Sequence, residues 1–146
     1  MIGDIGEFYE RLKNQLVLHE GLRLKPYRCT AGKLTIGVGR NLEDRGISKK
    51  EALYLLDNDI EEVSAELSRR LPWLSDLNGP RKAVLIDMAI NLGIDGLFKF
   101  KRTLAAVARG DYAEAAREMK DSRWYRQVKS RGVRLVAQMR TGEWQR

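Results

Sequence analysis

The sequence predicts an α+β fold that is predominantly helical, with a small β-hairpin lobe near the N-terminus and a larger all-helical C-terminal lobe. Three observations predict it. Apolar residues recur at every third or fourth position before residue 20 and again after residue 48, which is typical of helices. Between residues 24 and 42 the apolar period changes to two, which is typical of strands. A long helix is expected to join the two lobes, and a cleft between lobes is a favoured place for a ligand.

The first helix is predicted over about residues 4–20. Asp4 is a candidate N-cap, and Gly21 supplies the left-handed backbone that commonly ends a helix. The apolar stripe consists of Ile5, Phe8, Leu12 and Leu16. Glu20 therefore lies in the last turn, where the negative end of the helix dipole disfavours a further negative charge.

The hairpin lobe is predicted over about residues 21–47, with its turn at Ala31–Gly32. Ile36 and Val38 alternate with Gly37 and Gly39, so the two glycines share one face of a strand. Such a glycine face is interpreted either as the close approach of another group or as a bend in a small sheet.

The connecting helix is predicted over about residues 48–71, because Ser48 and Glu51 form a capping-box pattern and Pro72 ends the periodic run. Residues 72–146 then predict several shorter helices. The segment 83–92 is apolar on most sides, which is typical of a helix at the centre of a core.

Composition limits the class of protein. The chain has 146 residues, enough for one domain with a real core, and a formal charge of +7, which favours an anionic partner. The cations are scattered rather than gathered in one tail, which argues against nucleic acid. One cysteine excludes an intramolecular disulfide. No metal-ligand cluster, phosphate loop or dinucleotide fingerprint is found, so no metal and no cofactor are expected.

Three side chains are candidates for glycoside hydrolysis, which needs a proton donor at the leaving oxygen and a base or nucleophile on the opposite face of the sugar. Glu20 suits the first role, Cys29 the second, and Thr35 can hold the attacking water. Each also has a plain structural interpretation: a solvated charge, a small buried apolar residue and a good strand former.

The segments that contain these candidates resemble a known family, the phage lysozymes of the T-even type (glycoside hydrolase family 24). The resemblance covers nearly the whole chain and is carried by Glu20–Lys25, Tyr27, Thr35–Gly39, Ala89–Asn91, Ser122–Tyr125 and Arg140–Trp144. It implies a single lysozyme-like domain over residues 1–146. It also implies an endolysin that hydrolyses the bond from N-acetylmuramic acid to N-acetylglucosamine in peptidoglycan.

By the same resemblance, the acidic catalyst of the family corresponds to Glu20 and its threonine to Thr35, while its aspartate is replaced by Cys29. We therefore hypothesise that Cys29 acts as a thiolate base or nucleophile, with Arg28 and Lys33 as candidate cations that favour the thiolate. The alternative is a water held mainly by Thr35, with the thiol as a spectator.

The resemblance also implies supporting contacts. Arg131 corresponds to an arginine that pairs with the catalytic glutamate, and an Arg40–Asp59 pair is expected to replace a histidine–aspartate pair. Tyr27 is expected to support the site.

Three polar residues of the helical lobe are candidates to bind substrate, with helix caps or surface polar groups as the alternative: Asn91, Arg123 and Gln127. The three tryptophans are expected to be core anchors rather than sugar platforms: Trp73, Trp124 and Trp144.

Other classes remain open. A cysteine hydrolase would use Cys29 with His19, and a nucleic-acid-binding module or an inactive wall-binding relative would need no such site. The N-terminal segment carries charges and predicts neither a signal peptide nor membrane insertion. The expected protein is a monomer in the host cytoplasm that binds bacterial peptidoglycan and no nucleic acid. It reaches the wall after a separate pore protein permeabilises the membrane.

Overall fold

The computed structural model describes residues 2–146, and side chains from residue 4 onwards. It confirms the predicted class: a predominantly helical α+β fold with a small antiparallel sheet near the N-terminus and a helical remainder. The chain divides into two compact units, the first ending at Leu53 and the second spanning Tyr54–Arg146.

The first unit begins with helix α1 (Ile2–Glu20) and continues with three strands, β1 (Arg23–Arg28), β2 (Leu34–Gly37) and β3 (Arg40–Asn41). The strands form an antiparallel sheet in the order β1-β2-β3. Thr35 on the central strand lies opposite Tyr27 on one side and Asn41 on the other. The predicted turn is confirmed, because Ala31–Gly32 lies between β1 and β2 and Gly32 has a φ of 78°.

A short helix, α2 (Leu42–Arg45), follows β3 and is absent from the sequence prediction. The Asn41 side chain accepts a hydrogen bond from the backbone N–H of Asp44, and Gly46 ends the helix. One turn of helix is too short to show an apolar period, so only its caps could have predicted it.

Helix α3 (Lys49–Arg70) starts in the first unit and continues into the second. The capping box is confirmed: the backbone N–H of Glu51 donates to Ser48 Oγ at 3.1 Å, and the N–H of Ser48 donates to Glu51 Oε1 at 2.9 Å. These two bonds satisfy donors that a helix start leaves unpaired.

The second unit contains a 3₁₀ segment (Pro72–Asp76) and six helices: α4 (Gly79–Leu92), α5 (Ile94–Phe98), α6 (Lys101–Ala108), α7 (Tyr112–Lys120), α8 (Arg123–Val128) and α9 (Ser130–Thr141). Helix α7 packs against α6 and α9. The largest fully buried apolar side chains are Leu67, Val84, Leu85, Met88, Leu97, Met119 and Met139. The predicted central position of the 83–92 segment is confirmed, because α4 contributes three of them.

The tryptophans differ from one another. Trp124 is buried in the core and Trp73 packs against it, as predicted. The prediction is wrong for Trp144, which is 67% exposed. It lies beyond the end of α9, outside the helices whose side chains form the core. Across residues 2–146, none of the helices combines the length and apolarity needed to cross a membrane.

Candidate active site

Glu20 is the last residue of α1. The helix ends there because the N–H of Gly21 donates to the carbonyl of Val17 at 2.8 Å and Gly21 adopts a φ of 79°. The Glu20 carboxylate lies against Gly39 in the bend between β2 and β3: a Cβ atom on Gly39 would be only 2.9 Å from Glu20 Oε2. The acid is therefore placed against the sheet whose central strand carries Thr35.

Thr35 is buried, with 3% of its surface exposed, although threonine is mostly an exposed residue type. Its hydroxyl donates to the carbonyl oxygen of Lys33 at 2.8 Å. That bond uses the single proton of the hydroxyl and leaves the oxygen able to accept a hydrogen bond. A water molecule is a suitable donor to it.

Cys29 follows β1 directly and is half-buried. Its N–H donates to the Lys33 carbonyl at 3.0 Å, and its own carbonyl accepts from the N–H of Gly32 at 2.8 Å, so the turn folds back around the thiol. The backbone N–H of Lys33 lowers the pKa of the Cys29 thiol most, followed by the N–H of Ala31, and partial burial opposes this lowering.

The candidate cations around the thiol have other partners. Arg28 pairs with Glu43 at 3.2 Å, and Lys33 lies 3.3 Å from Asp44 and 3.5 Å from Glu43. The expectation that Arg28 and Lys33 favour the thiolate is wrong, because hydrogen bonding, chiefly from backbone amides, causes the lowered pKa of Cys29.

Tyr27 lies opposite Thr35 in the sheet, and the guanidinium of Arg23 stacks over its ring at 4.6 Å. The contact is a cation–π interaction between two residues of β1. The supporting role of Tyr27 in the chemistry stays a prediction.

The predicted substrate residues belong to the second unit. Asn91, in the last turn of α4, accepts a hydrogen bond from Trp124 Nε1 at 3.0 Å. Arg123 and Gln127 are exposed and four residues apart on α8, so they share one face of the helix. The cap of α8 is Ser122, whose Oγ accepts from the N–H of Tyr125 at 3.1 Å.

Arg131 on α9 pairs with Asp87 on α4: its Nε donates to Asp87 Oδ1 at 2.9 Å, and its Nη2 lies 2.6 Å from the same oxygen. The predicted Glu20–Arg131 pair would join the two units and stays a prediction. Asp87 was missed as a partner of Arg131. Asp87 and Asn91 are four residues apart in the otherwise apolar segment 83–92 of α4, which is a signal that one polar face is used.

Arg40, the first residue of β3, has a different partner from the one expected. Its Nη1 donates to Glu51 Oε1 at 2.8 Å, so the structure replaces the Arg40–Asp59 prediction with Arg40–Glu51. Glu51 lies in the first turn of α3 and reaches both Ser48 and Arg40. The hydrogen bond from Arg40, with those from Ser48, lowers the pKa of Glu51 to about 2.

Within residues 2–146, no group of three or more histidine, cysteine, aspartate or glutamate side chains is arranged to hold a metal ion.

A carboxylate at a helix end beside a small sheet, followed by a helical unit, is the architecture of a lysozyme, a glycoside hydrolase. Residues 17–141 match a family model described as phage lysozyme, and the chain belongs to the phage lysozyme family.

Relatives from several sources match most of the chain. It is 28% identical to "Probable T4-type lysozyme 1" of Dictyostelium discoideum over 90% of this chain and 94% of that protein. It is 33% identical to a "SAR-endolysin" of Escherichia phage Mu over 84% of this chain and 70% of that protein. It is 29% identical to "Pre-baseplate central spike protein Gp5" of Enterobacteria phage T4, over 84% of this chain but only 26% of that protein.

Proposed function

We propose that the chain is an endolysin that hydrolyses the β-1,4 bond from N-acetylmuramic acid to N-acetylglucosamine in bacterial peptidoglycan. Glu20 protonates the leaving oxygen, Thr35 holds the attacking water, and Cys29 acts in place of a carboxylate as base or nucleophile. One observation carries the proposal: the Cys29 thiol, with its pKa lowered by backbone amides, lies beside the buried Thr35 hydroxyl.

The hydrogen bonds around Thr35 support its role with water. The hydroxyl proton is directed to the Lys33 carbonyl, so Thr35 Oγ1 accepts one proton of a water molecule. The Cys29 thiolate accepts the other. Both protons are then held, and a lone pair of the water oxygen is left to attack the anomeric carbon of the sugar.

In the base route, the proton of the Glu20 carboxyl moves to the glycosidic oxygen as the bond to the anomeric carbon breaks. The water oxygen bonds to that carbon and its proton moves to Cys29. In the nucleophile route, the thiolate sulfur bonds to the anomeric carbon as the glycosidic bond breaks and Glu20 gives its proton to the leaving oxygen. In the second step the Glu20 carboxylate takes a proton from water, the water oxygen bonds to the carbon, and the carbon–sulfur bond breaks to release the thiolate. The anomer of the product, read by NMR, distinguishes one displacement from two.

The proposed function also includes contacts with the glycan and attraction to the wall. Arg123, Gln127 and Asn91 are proposed to contact the glycan, and the charge of +7 favours encounter with an anionic wall. We place the protein as a monomeric, single lysozyme-like domain whose access to the wall depends on a separate membrane pore protein.

Turbidity loss of permeabilised bacterial cells tests the proposal. Glu20→Gln is expected to lower the lysis rate by about 10²–10⁴-fold, because a positioned general acid contributes about that much. Glu10→Gln removes an exposed carboxylate from the same helix, ten residues before Glu20, and serves as the matched control. A Glu20→Gln variant that lyses cells at the wild-type rate would refute the proposal.

Variants of Cys29 test the second half of the mechanism. Cys29→Ser is expected to reduce activity by orders of magnitude with little change in melting temperature, whereas Cys29→Asp stays active. Near-normal activity of Cys29→Ser would favour the spectator thiol. His19→Ala is expected to keep full activity, because the proposed mechanism does not use His19. A cysteine–histidine hydrolase would lose its activity in this variant.

A further inference from the structure

We propose that Gly39 is a positioning residue for the Glu20 carboxylate, and that the space left by its missing side chain sets where the acid stands. The inference rests on the proposed function, in which Glu20 is the proton donor. Gly39 lies between β2 and β3, against the Glu20 carboxylate, and it acts on the reaction through that acid.

The contact involves most of the Glu20 side chain. A Cβ atom on Gly39 would lie 2.9 Å from Oε2, 3.2 Å from Cδ and 3.4 Å from Cγ of Glu20. The first distance is shorter than a real Cβ atom tolerates. A carboxylate at the end of a flexible side chain moves more easily than the backbone of a sheet. A methyl group at residue 39 therefore displaces the acid instead of unfolding the hairpin.

Gly37 provides an internal comparison. Both glycines have a φ of 70°, which disfavours any residue with a Cβ. A Cβ on Gly37, however, would meet nothing within 4 Å. Substitution of either glycine thus introduces similar backbone strain, and only the one at Gly39 introduces a collision with Glu20.

The backbone on the other side of Gly39 is held in place. Arg40 pairs with Ile36 in the sheet, and its guanidinium binds Glu51 at 2.8 Å at the start of α3. Glu51 in turn accepts the N–H of Ser48 at 2.9 Å. Because these contacts fix the strand next to Gly39, the position of the carboxylate is set by a rigid wall and not by a loose loop.

Gly39→Ala and Gly37→Ala form the matched pair that tests this. Both are expected to lower the melting temperature through backbone strain, and Gly39→Ala by somewhat more because of the added collision with Glu20. Gly39→Ala is expected to lower kcat on soluble peptidoglycan fragments by about 10²-fold with little change in KM, because a displacement of about 1 Å in a catalytic group costs that much. Gly37→Ala is expected to keep kcat within a few-fold of wild type. Equal kcat values for the two variants would overturn the inference.

A second measurement does not depend on activity. In a Glu20→Ala background the collision is gone, so Gly39→Ala is expected to lower the melting temperature no more than Gly37→Ala does. A larger loss from Gly39→Ala in that background would contradict the contact. The proposed function is refuted by a different result, a Glu20→Gln variant with full activity, so the two claims can be tested separately.

Should Gly39→Ala not fold, Gly39→Asn and Gly37→Asn replace the pair, since asparagine tolerates positive φ better than alanine. The Cβ of an asparagine at residue 39 meets Glu20 at the same place. Gly39→Asn is therefore expected to have a lower kcat than Gly37→Asn, and equal kcat values would contradict the inference.

Discussion

At the scale of single residues, the environment of Cys29 decides what the thiol can do. Backbone amides lower its pKa, while the neighbouring cations Arg28 and Lys33 are bound to carboxylates. Sequence resemblance was enough to name Cys29 and Thr35 as candidates. It was not enough to find the amides of Ala31 and Lys33, because their direction depends on how the turn closes.

Cys29→Asp is expected to move the rising limb of the pH–activity profile to lower pH. A base works only when deprotonated, so activity rises with pH through its pKa. A thiol ordinarily titrates near 8.5 and an aspartate near 3.9, a gap that the lowered pKa of Cys29 narrows. Initial lysis rates across pH measure the shift, with Cys29→Ser as the variant that lacks this base. The same rising limb in wild type and Cys29→Asp would show that residue 29 is not the base.

At the scale of elements, local signals predicted helix starts well and pair partners poorly. The capping box at Ser48 and Glu51 is a short-range pattern, so the sequence was sufficient for it. Arg40 was assigned to Asp59, but it binds Glu51, because α2 turns the chain so that the start of α3 faces β3. Helix α2 itself was not predicted, so the sequence analysis could not predict that Glu51 lies beside Arg40.

Arg40→Ala is expected to lower the melting temperature most near neutral pH. Glu51 has a folded pKa of about 2, below its ordinary value of 4.5, so the pair stabilises the fold fully above about pH 4.5 and its contribution is lost as pH falls towards 2. The difference between wild type and Arg40→Ala should therefore shrink over that interval. Thermal unfolding at several pH values measures it.

Arg11→Ala is the control for that measurement, because it breaks an exposed ion pair with Glu7 that contributes little. A pH-independent difference between wild type and Arg40→Ala would contradict the assignment of Glu51 as the partner.

Leu85→Ala is expected to destabilise the second unit by about 2–5 kcal/mol, because it leaves a cavity in the centre of the core. Leu85 is fully buried on α4. Val133→Ala, on the outer side of α9 where Val133 is 54% exposed, is expected to change stability by less than about 0.5 kcal/mol. Denaturant unfolding of both variants checks this, and equal losses would show that α4 is not central.

At the scale of the whole molecule, the net charge affects the rate of encounter with the cell wall and does not determine the fold. The net charge of +7 is spread over both units, so the attraction to an anionic wall is long-ranged and screened by salt. This property follows from composition alone and needs no tertiary structure.

Lysis of permeabilised cells is expected to slow as salt rises from about 0.05 M towards about 1 M, where the Debye length falls to about 3 Å. Replacing the exposed pair Lys101 and Arg102 with glutamate removes four units of charge and is expected to reduce both the low-salt rate and its salt dependence. Arg102→Lys keeps the charge and should keep the salt profile. Lysis rates that do not change with salt concentration in any variant would exclude electrostatic steering.

The sequence by itself determined the fold class and the positions of the main helices, because periodicity and caps are local in the chain. The family resemblance supplied Glu20, Cys29 and Thr35 as candidates for the chemistry. The tertiary structure decided which groups meet: amides around the thiol, Glu51 beside Arg40, and the Glu20 carboxylate against Gly39. These contacts depend on where turns and helix ends bring distant segments, and no periodic pattern encodes that.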